Sequence, residues 1–85
     1  MVSVSLHYWA GARAAAGTET EAVEADTVRA ALALAVEQHA DPRYTRVIDA
    51  SSLLIDGLRA NDEDLDRPRR EGVRVEVLPP FAGGA

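Results

Sequence analysis

One long helical pattern, residues 26–39, constrains the fold of this 85-residue chain more than any other feature. From Val28 to His39 apolar residues recur at the i, i+3, i+4, i+7 and i+8 positions of one helix face, without glycine or proline. Asp26 is the predicted N-cap, and Asp41-Pro42 predicts the end. The pattern predicts an amphipathic helix of about 13 residues whose apolar stripe packs on a sheet.

The N-terminal residues 2–9 alternate between apolar and polar side chains. Val2, Val4, Leu6 and Tyr8 fall on one face, which predicts a half-buried strand. The same alternation places Trp9 on the face away from the core. Tryptophan is enriched at interfaces, so Trp9 is interpreted as a partner-docking residue, with a plain contact at the edge of a loop as the alternative.

Residues 18–25 alternate again, and their glutamates favour an edge strand. The short connection before them contains Ala12-Arg13-Ala14-Ala15-Ala16, which predicts one helical turn ended by Gly17. Because so short a connection cannot hold a crossover, the two strands are expected to pair as an antiparallel hairpin.

The second half of the chain contains weaker patterns. Residues 43–51 are interpreted as irregular, with Tyr44, Val47 and Ile48 as anchors, and residues 52–56 as a short strand in a central, buried position. Asp56-Gly57 predicts a turn, residues 58–60 a strand stub, and residues 61–72 a solvated loop. Residues 73–78 alternate as a final strand. The order predicts an α+β domain with a mixed sheet of about five strands and one main helix on one face.

Composition excludes several classes of protein. The chain has no cysteine, which rules out disulfides and thiolate metal sites. Its net charge of −5 argues against nucleic acid and favours a partner with a basic docking face. Without a long apolar run or a leader pattern, we expect a cytoplasmic protein that makes no membrane contact.

Side-chain constellations typical of enzymes are also missing from the sequence. Ser51 and Ser52 lack a nucleophile elbow, and no glycine-rich phosphate loop follows a strand. The acidic residues of 62–66 lack calcium-loop spacing and are interpreted as a solvated loop, so no metal site is expected. His39 is expected to interact with the carbonyls or dipole at the end of its helix.

The last strand leads into a tail, residues 79–85, which divides the chain into a domain of residues 1–78 and a C-terminal segment. Pro79 and Pro80 end the strand and fix φ, whereas Gly83 and Gly84 carry no side chains. One interpretation is an ordinary poorly ordered terminus. The other is a carboxylate on a narrow arm, which ATP could convert to an acyl-adenylate that a sulfur nucleophile displaces.

These residues resemble the MoaD/ThiS sulfur-carrier family of ubiquitin-like β-grasp proteins, and the MoaD branch in particular. The resemblance covers essentially the whole chain. It is carried by residues 6–10 with Arg13 and Gly17, by the helix after Asp26, by residues 54–57 and 71–72, and above all by the segment 78–84.

The resemblance implies a substrate-like protein that is not catalytic alone and binds no cofactor. An E1-like adenylyltransferase of the MoeB/ThiF type would use ATP to activate the carboxylate of Gly84, next to Gly83, and a persulfide donor would convert it to a thiocarboxylate. In the MoaD branch the tail would then enter a MoaE-type large subunit of molybdopterin synthase and donate sulfur in molybdenum cofactor biosynthesis.

The resemblance also implies partner-binding residues. They are Trp9, Arg13, Pro79, Pro80, Phe81 and Ala82, and Phe81 stands at a tail position that is usually buried by the partner.

Ala85 follows the second glycine, so either a protease removes it or it blocks activation. Three alternatives therefore stay open. The chain could be a carrier for cysteine, thiamin, tRNA or natural-product thiolation that needs Ala85 removed. It could be a ubiquitin-like modifier that forms isopeptide bonds, or an interaction domain with an inert tail.

Overall fold

The computed structural model describes residues 1–80, so the predictions made for Phe81, Ala82, Gly83, Gly84 and Ala85 lie outside the described residues. The elements follow one another as β1 (Val2–Tyr8), α1 (Ala10–Ala16), β2 (Thr20–Ala25), α2 (Val28–His39), α3 (Pro42–Ala50), β3 (Ser52–Ile55), β4 (Leu58–Arg59), α4 (Asp62–Asp66) and β5 (Val73–Leu78).

The five strands form one mixed sheet in the order β2-β1-β5-β3-β4. β1 pairs antiparallel with β2 and parallel with β5, while β3 pairs antiparallel with β5 and β4. This confirms the predicted α+β, ubiquitin-like β-grasp arrangement, with the hairpin first and β2 at an edge. The expectation of a central, buried β3 was wrong, because β5 is central and β4, a strand of two exposed residues, covers β3 only in part.

The core lies between the sheet and the helices. The alternating residues of β1 and β5 supply most of it, as the period of two predicted. Tyr8, Leu6, Val4, Val75 and Val77 are at most 1% exposed. From α2, Val28, Ala31 and Ala35 complete the same core.

Helix α2 begins one residue later than predicted. Thr27, not Asp26, is the N-cap, and its hydroxyl accepts a hydrogen bond from the Ala30 amide at 3.0 Å. The Asp26 carboxylate instead lies 3.2 Å from the amino group of Met1. Both residues are good caps, so the local sequence could not distinguish them.

The segment predicted to be irregular, residues 43–51, is helix α3. Asp41 caps it by accepting a hydrogen bond from the Arg43 amide at 2.9 Å, and Pro42 occupies the first turn. The Asp-Pro pair that ends α2 therefore also starts a new helix, since proline is favoured at a first helical position. The predicted anchors Tyr44 and Ile48 are buried.

The predicted solvated loop also contains a helix, α4. A capping box starts it: Asn61 accepts from the Asp64 amide at 2.8 Å, and Asp64 accepts from the Asn61 amide at 3.0 Å. Arg29 of α2 pairs with Asp62 and Asp66 at 3.3 and 2.5 Å. Acidic residues stabilise the first turn of a helix, so the cluster has a structural role. Within residues 1–80, no group of acidic or histidine side chains could hold a metal ion, and no helix is long and apolar enough to cross a membrane.

Candidate functional site

The tail leaves the domain at the end of the central strand. β5 ends at Leu78, after which Pro79 is half-buried and Pro80 is exposed. β1 runs parallel to β5, so the two strands end at the same edge of the sheet. The Trp9 amide donates to the Val77 carbonyl at 3.2 Å and extends this pairing one residue beyond β1. Trp9 and the root of the tail therefore stand side by side.

Trp9 combines a fixed backbone with an exposed ring. It is the N-cap of α1, and its carbonyl accepts from the Ala12 amide at 2.9 Å. The residue is 43% exposed, so the predicted position off the core is confirmed. A large aromatic side chain on a rigid support can dock on a partner at little cost in conformational entropy.

The sheet face opposite the helices is the open face. Its register pairs place Ser5 beside Arg74, His7 beside Glu76, and Leu54 beside Glu76. Leu54 and the last strand residue, Leu78, are half-buried apolar residues among these polar ones. Trp9 follows β1 in the same alternation, so the face combines three apolar residues, Trp9, Leu54 and Leu78, with polar ones, as interfaces do.

Arg13 lies on α1, one turn after Trp9. Its side chain is 48% exposed and pairs at 3.6 Å with Glu19, whose side chain is 76% exposed. Solvent screens such a pair, which contributes little to stability. The guanidinium of Arg13 therefore stays accessible at the same end of the sheet as Trp9 and the tail root.

A groove of ≈ 320 Å³ runs beside the first tail residues, and we call it the tail-root groove. It lies between α1 and α3 and is lined by Gly11, Arg43, Arg46, Val47, Ala50, Pro79 and Pro80. Because the sequence pattern of residues 43–51 is interpreted as irregular, it does not identify Arg43 and Arg46 as site residues. Their i, i+3 spacing, continued by Val47 and Ala50 at i+4 and i+7, was the signal that could have found them.

The comparisons with known proteins agree with the overall fold. No family model and no curated protein match the sequence, but solved structures do. Small archaeal modifier protein 1 from Methanosarcina acetivorans matches at 23% identity and a TM-score of 0.81, over 99% of this chain and 98% of that chain. The small archaeal modifier protein 1 from Haloferax volcanii matches at 28% identity and a TM-score of 0.76, over 96% of this chain and 99% of that chain.

A third structure also has this fold. It is a chain from the complex of subunits 1 and 2 of the molybdopterin-converting factor of Helicobacter pylori, at 15% identity and a TM-score of 0.68, over 96% of this chain and 99% of that chain. The chain has a MoaD/ThiS-like, ubiquitin-like fold. The resemblance carried by the sequence motifs therefore extends to the three-dimensional structure.

This MoaD/ThiS-like domain also contains a partly buried polar network that sequence reasoning missed. The Tyr8 hydroxyl donates to Glu21 Oε1 at 2.7 Å and lies 2.6 Å from the Tyr44 hydroxyl. His39 Nε2 lies 2.5 Å from the same Glu21 oxygen, and its ring stacks on Tyr44 with centroids 3.8 Å apart. His39 thus bonds Glu21 of β2 rather than the helix carbonyls, while its position in the last turn of α2 fits the other expectation, an interaction with the helix dipole.

The two tyrosines of this network are held in their neutral form. Burial, followed by the hydrogen bonds with Tyr44 and Glu21, raises the pKa of Tyr8 far above its ordinary value, and burial raises the pKa of Tyr44. Both phenols therefore stay protonated and cannot act as nucleophiles near neutral pH. Of the predicted site residues, the MoaD/ThiS-like fold brings together Trp9, Arg13, Pro79 and Pro80.

Proposed function

We propose that the protein is a sulfur carrier whose chemistry takes place at the carboxylate of Gly84. The observation that carries the proposal is the continuity of β5 into Pro79-Pro80 and the sequence Phe81-Ala82-Gly83-Gly84, at the centre of a MoaD/ThiS-like sheet. Glycine is the residue that lets a backbone approach closely, and Pro79 and Pro80 end the strand and fix φ before the reacting end.

The proposed reaction has three steps. A protease hydrolyses the amide bond between Gly84 and Ala85. An E1-like adenylyltransferase then joins the Gly84 carboxylate to the AMP part of ATP and releases pyrophosphate. Sulfide attacks the acyl carbon and expels AMP, which leaves a thiocarboxylate. If a protein persulfide attacks instead, the product is an acyl disulfide, and a second thiol of the donor must reduce it, forming a disulfide, to release the thiocarboxylate. ATP is bound by the activating enzyme, and the carrier supplies only its carboxylate.

For the pathway, we propose the role of small subunit of a molybdopterin synthase, with a MoaE-type large subunit as the acceptor. The likeness to a chain of the molybdopterin-converting-factor complex supports such a partner. Trp9, with Leu54 and Leu78 of the open face, would provide the apolar docking area next to the inserted tail. Phe81 and Ala82 would enter the partner together with the glycines.

A second candidate is a protein modifier. The likeness to small archaeal modifier protein 1, at 28% identity over 96% of this chain, favours it. Its adenylation step is the same, but the acyl group would end in an isopeptide bond to a lysine of another protein. The chain has no lysine, so it could not form lysine-linked chains with itself.

The test is the intact mass of the protein after incubation with the E1-like enzyme of its own organism, ATP and sulfide. A variant that ends at Gly84 should gain about 16 Da, because one oxygen is replaced by sulfur. Full-length protein should stay unchanged until Ala85 is removed, and a variant that ends at Gly83 is the matched control.

The outcomes separate the candidates. A Gly84-ended protein that never gains this mass contradicts the sulfur-carrier proposal. Mass gain without transfer to a MoaE-type subunit, accompanied by adducts on lysines of other proteins, would instead establish the modifier.

A further inference from the structure

Helix α3 presents two different faces to its surroundings. Tyr44 and Ile48 point into the core and are at most 8% exposed. The other stripe, Arg43, Arg46, Val47 and Ala50, lines the tail-root groove. The groove is thus lined by two apolar residues, Val47 and Ala50, and by two cationic side chains.

The charge in this groove is opposite to that of the whole chain. The protein carries −5, yet the seven described residues that line the groove include two arginines and no acidic residue. The ion pairs within residues 1–80 engage Arg13, Arg29, Arg67 and Arg74 among the arginines, but neither Arg43 nor Arg46. Guanidinium groups without a carboxylate partner favour carboxylates, which they can bind in a bidentate way.

The position of the groove says which molecule can supply those carboxylates. Pro79 and Pro80 form one of its walls, and Pro80 is the last described residue before the reactive end. An enzyme that takes residues 81–84 into its active site must therefore contact this wall of the groove. Both candidate functions need the activating enzyme to take up the tail for adenylation, so the expected occupant of the groove is a part of that enzyme.

We propose that the tail-root groove docks an acidic segment of the activating enzyme, with an apolar side chain on Val47 and Ala50 and flanking carboxylates on Arg43 and Arg46. The inference rests on the proposed function, since it assigns the partner surface used in the adenylation step. It also revises the expectation from net charge: the tail end of this acidic protein selects an acidic surface.

The first test reverses single charges. Arg43→Glu and Arg46→Glu are each compared with Arg70→Glu, an exposed arginine that also lacks an ion pair within residues 1–80 and lies before β5, at the opposite end of that strand. Binding to the activating enzyme is measured by calorimetry without ATP or sulfide. Each groove variant should weaken binding roughly tenfold and flatten its salt dependence, and Arg70→Glu should change it less than about twofold.

A second variant fills the groove without changing its charge. A Cβ at Gly11 would meet no atom within 4 Å, so Gly11→Leu places a side chain in open space and also improves the helix propensity of α1. It should weaken binding to the enzyme while its urea unfolding midpoint stays at or above that of the wild type.

The results that overturn the inference are specific. Groove variants that bind as well as Arg70→Glu exclude an acidic partner segment. Groove variants that bind more tightly and gain sulfur faster would show that the groove holds the chain's own terminal carboxylate instead. If the groove variants behave like the control while the Gly84-ended protein still gains about 16 Da, only the groove assignment fails. If binding depends on the groove but no mass is gained, only the proposed function fails.

Discussion

The phenol oxygens of Tyr8 and Tyr44 lie 2.6 Å apart, and their rings meet edge to face with centroids at 5.9 Å. Tyr8 is the last residue of β1, and Tyr44 lies in the first turn of α3. The contact therefore fastens the helix that carries the tail-root groove to the strand that continues into Trp9. Glu21 of β2 and His39 of α2 extend the same network, so four elements are joined beneath the tail end of the domain.

The two tyrosines should differ in how much stability they contribute. Tyr44→Phe removes one hydrogen bond, while Glu21 still partners Tyr8, and we expect a loss of about 1 kcal/mol. Tyr8→Phe removes both bonds and leaves the buried Tyr44 hydroxyl without its partner, for about 2 kcal/mol. Urea unfolding at pH 7 measures both values, and a larger loss in Tyr44→Phe would contradict the arrangement.

The same pair predicts sensitivity to alkali. Burial raises the folded-state pKa of both tyrosines, whereas an unfolded tyrosine has a pKa of about 10. Their contribution is thus complete below about pH 10 and is lost as the pH rises above it, because only the unfolded chain releases the protons. The slope approaches about 1.4 kcal/mol per pH unit for each tyrosine.

Urea unfolding between pH 8 and pH 11 checks this expectation. Tyr8 and Tyr44 are the chain's only tyrosines, so a Tyr8→Phe/Tyr44→Phe double variant is a complete control. Its stability should fall much less over the range. An equal fall in the double variant would assign the effect to other groups.

The start of α2 gives a prediction that separates two neighbouring residues. Thr27→Ala removes the hydrogen bond to the Ala30 amide and should cost about 1 kcal/mol. Asp26→Ala removes only an exposed pair with the N-terminus and should cost less than about 0.5 kcal/mol. Thermal unfolding of the two variants gives the order directly, and the reverse order would restore Asp26 as the cap.

Trp9 should matter more for binding than for folding. Trp9→Ala is expected to raise the Kd for the activating enzyme or the large subunit about thirtyfold, near 2 kcal/mol, as for an interface hot spot. Leu58→Ala is the matched control, since Leu58 is an apolar residue 75% exposed at the far edge of the sheet. Equal affinities of the two variants would leave Trp9 as a simple surface residue.

Much of the fold followed from patterns that act over short distances. The alternation in β1 and β5 and the helical period of α2 predicted their buried faces correctly, and Trp9 was placed off the core. The two missed helices show the limit. α3 and α4 are short, and their capping residues, Asp41 and Asn61, resemble those of ordinary turns.

The sequence by itself determined the strand and helix periods, the exposed position of Trp9 and the proline and glycine order of the tail, because each depends on neighbouring residues. Only the tertiary structure decided that Tyr8 meets Tyr44 and that Arg43 and Arg46 line a groove with Pro79 and Pro80. Tyr8 is more than thirty positions from Tyr44, and the two arginines are more than thirty positions from the two prolines. They meet because β1 and β5 pair in parallel at the centre of the sheet while α3 packs beside α1, and no local pattern encodes that pairing.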